Sequence, residues 1–487
     1  MSRSRLHKSF AALVLLLACA TVSLAQQASG ASAQPSPSPS PAQEGPHASP
    51  AYKQLRYEED WTYLRDPARR TNALDRIKYI PLNREGNWYL SLGGEVRERY
   101  ERFGNPSWGQ EPEDNNGYFL QRYMLHADFH LGSRVRFFGQ LKSGLENGRK
   151  GGPRPTDENR LDLNQAFFDV RFDFDKKRSL VLRAGRQEMA FGSSRLVSVR
   201  ESPNVRQSFD GLRATLRAGG WRVDGFITKP AETDRGVFDD APDHTRTFWG
   251  VYAVRPWRVL PGGNIDLYYL GIDRKRARFD QGSAREIRNS LGTRIWGRRS
   301  AWDYNYELVY QWGSFGQGNI RAWTIASDNG YTLSGFRYRP RLGLRADVTS
   351  GDRDARDPNL QTFSALFPRG AYFGEIALVG PSNHMDLHPS LDLRIKEGLT
   401  LNVDSVFFWR ESLSDGIYGN AINLLRSGSI SRARFIGSQP SVQAEWQVSR
   451  HVTLVGVFSH FFTGPFLRDT GPSRDVNYVT SWITYKF

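Results

Sequence analysis

Apolar and polar residues alternate in roughly 18 short segments between residue 88 and the last residue, 487. The links between these segments also alternate in length. Short links include Gly132-Ser133, Gly219-Gly220, 297–300, Glu397-Gly398 and Ser449-Arg450, and long polar links include 102–117, 147–160, 189–207 and 349–384. A membrane barrel has this alternation because one rim carries tight periplasmic turns and the other carries long extracellular loops. The pattern therefore predicts an all-β fold, a transmembrane antiparallel β-barrel of about 18 strands.

Successive side chains of a strand point to opposite faces, so each segment divides into a lipid-facing set and a lumen-facing set. In the first segment, Leu90, Leu92 and Val96 share one face, and charged residues share the other. The same division recurs at 119–130, 135–142, 212–217, 341–347 and 391–396. The segments near 248–254 and 452–461 do not divide cleanly, and their registers stay open. The last segment ends on an aromatic residue, Phe487, as is typical of outer-membrane barrels.

The part of the chain before the barrel divides into three predicted regions. Residues 1–25 are a predicted signal peptide, because basic residues precede the apolar stretch 10–17 and small residues follow it. The only cysteine, Cys19, also fits a lipoprotein processing site. Residues 26–51 are rich in Pro, Ser and Ala and predict a disordered linker. Residues 52–87 are aromatic and charged and predict an ordered periplasmic prelude, folded against or into the mouth of the barrel 88–487.

The composition is that of a basic chain without a spanning helix. The formal net charge is +15, 39% of the residues are hydrophobic and 13% are aromatic. Beyond the N-terminus no apolar run approaches the roughly 18 residues that a spanning helix needs. A soluble propeller or solenoid would show a repeat of roughly 40–50 residues, which the sequence lacks. No nucleic-acid-reading motif is present, so no nucleic-acid partner is expected, and outer-membrane lipid is the expected surrounding.

Arginine supplies most of the basic residues, and we expect many of them to face the lumen. A charge on the lipid-facing side at mid-membrane costs roughly 2–4 kcal/mol, and the planar guanidinium matches a carboxylate. The expected pore-lining, anion-binding residues are Arg97, Arg99, Arg122, Arg136, Arg183, Arg186, Arg213, Arg222, Arg288, Arg294, Arg321, Arg341, Arg345 and Arg394, and the expected lumen acids are Glu95, Asp128, Asp224, Asp303, Glu307 and Asp347. Two interpretations compete: ion pairs that stiffen a wide barrel, and an electropositive duct for anions. We expect both to hold, because the excess of arginine over acids leaves unpaired positive charge.

Other arrangements indicate chemistry more weakly. His126, Asp128 and His130 share one strand face, and His384, Asp386 and His388 repeat the spacing, which would allow metal ligation. Asp352, Asp354 and Asp357 could hold calcium, but the glycine and the distal glutamate of a calcium-binding helical loop are missing. No nucleophile motif indicates a hydrolase. We therefore expect no metal and no cofactor.

The chain resembles the bacterial alginate export family of outer-membrane barrels over most of residues 55–487. The resemblance rests on Leu55-Arg56-Tyr57 with Glu59-Asp60-Trp61, on 77–82, on 89–101 (YLSLGGEVRERYE), on 126–144, on 183–206, on 350–354, on 380–391 and on 408–412. It implies an 18-stranded barrel whose arginine-lined pore, partly occluded by loops, conducts a polyuronate. It gives functional weight to Arg97, Arg99, Arg183, Arg186, Arg200 and Arg206. Strand parity places Arg186 on the face opposite to Arg183, so the two cannot both line the pore.

Three functions are compatible with the sequence. The first is a passive outer-membrane duct for an anionic, alginate-like polysaccharide, with lumen arginines as a series of weak carboxylate sites. The second is a porin for small anionic solutes such as uronate oligomers. The third is a barrel enzyme that uses histidines near 384–388. A periplasmic export partner that docks at 52–81 would accompany the first.

Overall fold

A computed structural model describes residues 52–257, 259–260 and 262–487. The predicted signal peptide and the predicted linker, with Cys19, lie outside the described residues. Within the described residues, one sheet of 19 strands forms, of which the two-residue strand Ile80–Pro81 pairs only with Tyr89 and Leu90 near the start of the first long strand. The other eighteen strands are antiparallel to their neighbours, and the first pairs with the last, so the sheet closes on itself. The predicted all-β barrel is confirmed.

We label the barrel strands in chain order. They are β1 Trp88–Gly104, β2 Tyr118–Leu131, β3 Val135–Asn147, β4 Asn159–Asp173, β5 Ser179–Gln187, β6 Phe209–Ala218, β7 Trp221–Pro230, β8 Arg246–Trp257, β9 Gly263–Phe279, β10 Gly282–Arg299, β11 Trp302–Phe315, β12 Gly318–Thr332, β13 Arg341–Thr349, β14 His384–Lys396, β15 Leu399–Trp409, β16 Phe435–Gln447, β17 Val452–Thr463 and β18 Val476–Lys486.

Short elements surround the barrel. They are the 3-10 helices Arg56–Glu58, Thr62–Arg65 and Pro67–Arg69, the helices α1 Asp75–Lys78, α2 Pro106–Gly109 and α3 Pro465–Thr470, and a small hairpin of Ile417–Tyr418 with Leu424–Arg426. In the part of the chain that the structure describes, every helix is too short or too polar to span a membrane.

The two rims differ in the way the sequence predicts. At the tight-turn rim, β6 and β7 are joined by Gly219 and Gly220, whose φ angles of 58° and 81° suit a two-residue hairpin turn. The turn predicted at 297–300 lies at 300–301, because β10 and β11 remain paired as far as Arg299 and Trp302. At the other rim lie the long loops 105–117, 148–158, 188–208, 231–245, 350–383, 410–434 and 464–475. Two links there are tight, 280–281 and 316–317.

The outer face of the barrel is apolar. Phe119, Leu125 and Leu212 are more than half exposed, and they alternate with buried residues that face the lumen. Such a surface suits contact with lipid chains, since half of each strand of a membrane barrel faces the bilayer. The open register of β8 is resolved, with Phe248 and Tyr252 buried inside the barrel. The alternation was hidden there because both faces of the strand are apolar.

Loops fold inward and fill much of the lumen. The loops 188–208 and 350–383 pair in parallel at Val197 and Phe367, where the amide of Phe367 donates to the carbonyl of Leu196 at 2.8 Å. Side chains of both loops join the inward faces of several strands in one buried apolar cluster that includes Phe209 and Phe248. The lumen is therefore a packed core over part of its height rather than an open pore.

The segment 52–81 enters the tight-turn mouth of the barrel. Arg56 donates to the carbonyl oxygens of Gly94 and Phe487 at 2.9 and 2.8 Å, next to the point where the pairing of β1 with β18 ends. Arg450, in the turn between β16 and β17, forms an ion pair with Asp75. The segment is thus joined to both sides of the seam where the first and last strands meet.

Candidate functional site

Three arginines of β1 and β2 form a cluster inside the barrel. Arg97, Arg99 and Arg122 are at most 3% exposed, and Arg97 lies directly opposite Arg122 in the strand register. Arg122 lies 2.6 Å from Glu95, and Arg99 lies 2.7 Å from Glu101. Among the described residues, Arg97 has no carboxylate within ion-pair distance. The alternation of β1 and β2 places these cations on the inner face, as the sequence predicts.

The loop 188–208 covers this cluster and supplies backbone carbonyls as acceptors for part of its donors. Arg97 donates to the carbonyl oxygens of Glu201 and Pro203 at 3.0 and 3.1 Å. Arg99 donates to the carbonyl oxygen of Ser202 at 3.0 Å. A buried guanidinium needs acceptors for its donors, and here the loop supplies them in place of a ligand or water.

The same loop is held in place by a buried ion pair. Arg206 Nε lies 2.7 Å from Glu188 Oε1, and its Nη1 lies 2.8 Å from Glu201 Oε2. Arg206 and Glu188 are both at least 98% buried. Because burial disfavours an isolated charge, this pair ties the two ends of the loop together. In this conformation the loop lies over Arg97 inside the barrel.

A second charged cluster lies between β11, β12 and β13. A small cavity of about 40 Å³ is lined by Arg345 and Asp328 of the wall and by Arg195 and Arg369 of the loops. Arg195 forms an ion pair with Asp347 at 2.7 Å. Arg369 has no carboxylate within ion-pair distance among the described residues, and its Nε has no hydrogen-bond partner there. Burial lowers the pKa of Arg369 to about 10, and repulsion from Arg345 adds to the shift, so Arg369 remains a cation at neutral pH.

Three more of the expected arginines surround one tyrosine of the N-terminal segment. Arg183 lies over the ring of Tyr57, with its guanidinium carbon 4.1 Å from the ring centroid. Arg136 donates to the carbonyl oxygen of Tyr57 at 2.7 Å, and Arg213 donates to its hydroxyl oxygen at 3.2 Å. Each of these cations also has an acid beside it on the wall: Asp169 for Arg183, Asp128 for Arg136 and Asp224 for Arg213.

The remaining inward arginines differ in how they are neutralised. Arg288 is fully buried and lies beside Glu286, and Arg294 lies 3.0 Å from Asp266. Arg341 pairs with Asp303, and Arg222 pairs with Asp224. Arg394 shares the inner face of β14 with Asp392 and has no ion pair within the described residues.

Two expected pore arginines are not in the lumen, and these two assignments were wrong. Arg321 is exposed on the outer face, because the buried residues of β12 are Ile320, Ala322 and their even-numbered neighbours. It is the fourth residue of the strand, near the long-loop rim, which is where a membrane barrel tolerates an outward charge. Arg186 lies on the face opposite to Arg183 and pairs with Asp210 at 2.9 Å, also near that rim.

The expected lumen acids all face inward and all have cationic partners. Glu307 and Asp347 both contact Arg195, a loop residue. The partners of Glu95, Asp128, Asp224 and Asp303 are wall arginines, named above. Most charged residues of the interior are therefore ion-paired. Among the described residues, a few arginines have no acid beside them, and these include Arg97, Arg369 and Arg394.

The weaker metal candidates do not converge. His384 Nε2 lies 2.8 Å from Asp386, while His388 pairs with Asp404. Asp352 is buried, but Asp354 is exposed and binds Arg356. Among the described residues, the one group of acids close enough to share an ion is Asp162, Asp239 and Asp240. Lys142 Nζ lies 2.7 Å from Asp240 Oδ2 and Arg186 Nη1 lies 3.4 Å from Asp162 Oδ1, so two of the three acids already have a cation beside them.

The pore-residue prediction missed charged residues of the inward loops. Arg195, Arg206 and Arg369 contact the same acids and lumen surfaces as the wall arginines do. Strand alternation cannot identify them because they lie outside strands. The one available signal was the resemblance, which pointed to Arg206. Tyr57 was not predicted either, because it is uncharged and lies outside the strands, although three predicted arginines contact it.

The comparisons with solved structures show the same fold at low sequence identity. A BenF-like porin from Pseudomonas fluorescens aligns with a TM-score of 0.56 at 12% identity, covering 82% of this chain and 98% of that one. Acinetobacter baumannii OccAB2 aligns at 0.55 and 9% identity, covering 84% and 99%. Pseudomonas aeruginosa OccK2, solved with glucuronate, aligns at 0.52 and 11% identity, covering 82% and 97%. The comparison with curated proteins found no significant sequence match.

The sequence itself matches a family model over nearly the whole barrel. The matching model is that of alginate export proteins, and the match covers residues 88–481, from the first residue of β1 into β18. Together with the porin fold, this match identifies an outer-membrane barrel of the porin-like channel type. The chain belongs to the alginate export family.

Proposed function

We propose that this barrel conducts an anionic polysaccharide of the polyuronate class, passively, along its inward arginines. The observation that carries the proposal is the bonding of Arg97, Arg99 and Arg122. Each of the three donates to at least one backbone carbonyl of 201–203. When that loop withdraws, Arg97 becomes available to carboxylates of a passing polymer, while Arg99 and Arg122 keep Glu101 and Glu95 beside them and offer weaker sites.

The remaining charge distribution suits weak, repeated binding. Most inward arginines already have an acid beside them, so a carboxylate that binds one must compete with that acid. Conduction requires sites that are favourable enough to attract the cargo and weak enough to release it. A polyuronate presents one carboxylate per sugar and engages several such sites in turn.

The inward position of the loops supports a gated channel rather than a constantly open pore. The loops 188–208 and 350–383 pack against the inner faces of the strands, and the segment 52–81 contacts the barrel at the opposite rim. Conduction requires these segments to move, which is a microsecond-to-second process in proteins of this kind. The strands themselves remain in register.

The test is electrical. The purified chain, reconstituted in a planar bilayer under a salt gradient, should give a reversal potential on the anion-selective side. Oligomers of guluronate or mannuronate should block the current at lower concentrations than neutral oligosaccharides of equal length. Cation selectivity, or equal block by charged and neutral oligomers, would contradict the proposal.

A porin for small anionic solutes is the second candidate. The structure of OccK2 was solved with glucuronate, a single uronate, which favours this alternative by fold likeness alone. The two candidates differ in the length dependence of block. If a polymer is the cargo, the half-blocking concentration, expressed per carboxylate, should fall as the oligouronate becomes longer. If small solutes are the cargo, it should be the same for an oligomer and for a monomer.

A barrel enzyme has the weakest support. His384 and Asp386 are fully buried beneath Phe373 and Phe408, where no substrate reaches them in this conformation. A hydrolytic role would also need a nucleophile beside a histidine.

A further inference from the structure

We propose that residues 54–58 are a built-in competitor of the anionic cargo, seated in an arginine socket at the periplasmic side of the lumen. This proposal rests on the proposed function, because it assumes that the cargo carries carboxylates. It adds a binding site and names the chain's own segment as its present occupant.

The socket consists of five arginines that converge on this short segment. Two oxygen atoms of Tyr57 accept hydrogen bonds from Arg136 and Arg213, and Arg183 stacks over its ring. Arg206 donates to the carbonyl oxygen of Gln54 at 2.9 Å. Arg222 lies 3.5 Å from a carboxylate oxygen of Glu58. The segment therefore offers these cations a hydroxyl, two carbonyls and a carboxylate.

These are the same kinds of group that a uronate sugar presents. A sugar ring stacks against flat side chains, its hydroxyls accept hydrogen bonds, and its carboxylate pairs with a guanidinium. In the structure, the ring of Tyr57 packs edge-on against Phe138 and Phe167 at 6.2 and 5.5 Å between centroids. A platform of two phenylalanines beside several arginines is a suitable floor for such a ring once Tyr57 leaves.

The bound segment 54–58 is also linked to the loop 188–208. The hydroxyl of Tyr57 donates to the carbonyl oxygen of Glu188 at 3.0 Å, and Glu188 is the partner of Arg206. Withdrawal of the segment thus removes a contact from the base of the loop 188–208. A cargo that displaces 54–58 from the periplasmic side would weaken the loop that covers Arg97.

The competition has a predictable strength. Because it is tethered, the segment competes at an effective concentration of roughly millimolar. The apparent affinity of a free ligand is its intrinsic affinity multiplied by the fraction of time for which the socket is empty. Removing the competitor should therefore lower the half-blocking concentration of an oligouronate by about tenfold. Conductance without ligand should rise at the same time.

The experiment compares three forms of the full chain in planar bilayers: wild type, Tyr57→Ala with Glu58→Gln, and Arg69→Ala. Arg69 belongs to the same N-terminal segment, but its side chain is 64% exposed and its one ion pair among the described residues is with Asp66, so it is the matched control. Oligoguluronate is added from the periplasmic side. A lower half-blocking concentration in the double variant alone supports the competition.

A second experiment fixes the segment in the barrel by a cleavable cross-link. Tyr52 Oη lies 3.1 Å from His451 Nδ1, with ring centroids 5.6 Å apart. Cysteines at these two positions, in a chain with Cys19→Ser, can be joined by a short bis-thiosulfonate linker that a reductant cleaves. The linked protein should conduct less and resist oligouronate block, and reduction should restore both. Heat-dependent gel mobility shows whether each variant still forms the barrel.

The outcomes separate this proposal from the proposed function. Equal block and equal conductance in wild type and double variant would overturn the competition and leave the polyuronate duct standing. No block by oligouronate in any form would contradict both, even if release of the segment raised conductance. Linked protein that conducts and is blocked like the wild type would overturn the competition by itself.

Discussion

Arg97 donates from Nη1 to the backbone carbonyl oxygen of Glu201 at 3.0 Å, a bond between the barrel wall and an inward loop. The side chain of Glu201 lies 2.5 Å from Arg122 instead, so Arg97 remains without a carboxylate. A buried cation held only by carbonyls is available to an anion whenever the loop moves.

Replacement of Arg97 by alanine should reduce anion selectivity without unfolding the barrel. The change removes a cation that neutralises no acid, so it leaves no unpaired buried charge behind. We expect the reversal potential to move toward zero, and Arg345→Ala to act in the same direction. Arg321→Ala is the control, because that side chain is exposed on the outer face. Unchanged reversal potentials in both lumen variants would refute the lumen assignment.

Replacement of Arg206 by methionine should open the loop 188–208. Removing one partner of a buried ion pair typically costs about 3–5 kcal/mol, because the other charge stays buried. Glu188 would lose its cationic partner, while Glu201 would keep only Arg122. We expect higher conductance and faster protease cleavage within the loop, with the barrel intact. The double variant Arg206→Met with Glu188→Leu should recover much of the closure, and a failure to do so would argue against the ion pair as the restraint.

Closure of the periplasmic mouth should depend on pH through Lys78. This side chain is buried in the N-terminal segment, 5.1 Å from the ring of Trp61, and its Nζ has no hydrogen-bond partner among the described residues. Burial lowers the pKa of Lys78 to about 7 from 10.5, and repulsion from Arg56 and Arg450 outweighs attraction by Glu59 and Asp75. His126 of β2 lies beside the same site.

The sign of the effect follows from proton binding. Between pH 7 and 10.5 the released segment holds more protons on Lys78 than the seated one, so seating becomes more favourable as pH rises through this window. Conductance should therefore fall from pH 7 to pH 10 and should change little below pH 7. Lys78→Met should remove the dependence. An unchanged pH profile in that variant would exclude Lys78 as its cause.

The packing of the long-loop side should weaken as pH rises from about 4 to 7. Burial, assisted by repulsion from Asp415, raises the pKa of Asp352 to about 7 from 3.8, and Asp352 Oδ1 has no hydrogen-bond partner among the described residues. The packed loop binds a proton that the released loop has lost in that range, so its stability falls with rising pH. Asp352→Asn should slow protease cleavage of 350–383 at pH 8 and have little effect at pH 4. Equal cleavage of both proteins at pH 8 would contradict this account.

Side-chain alternation is the part of the fold that sequence determines most directly. It identified the inner faces of β1, β2 and β13 with their arginines, because each strand has polar residues on one face and apolar residues on the other. It failed at Arg321, where the predicted lumen face was the outer one. There the inward residues, such as Ile320 and Ala322, are as apolar as lipid-facing ones.

By itself, the sequence determined the closed barrel, its two unlike rims and the inward placement of most charges, because each follows from local periodicity and loop length. Only the tertiary structure decided what fills the lumen. Tyr57 and Glu188 are 131 positions apart, and no local pattern encodes their contact. Long-range contacts inside a barrel depend on how loops and the N-terminal segment compete for the same buried donors, which is settled by packing in three dimensions.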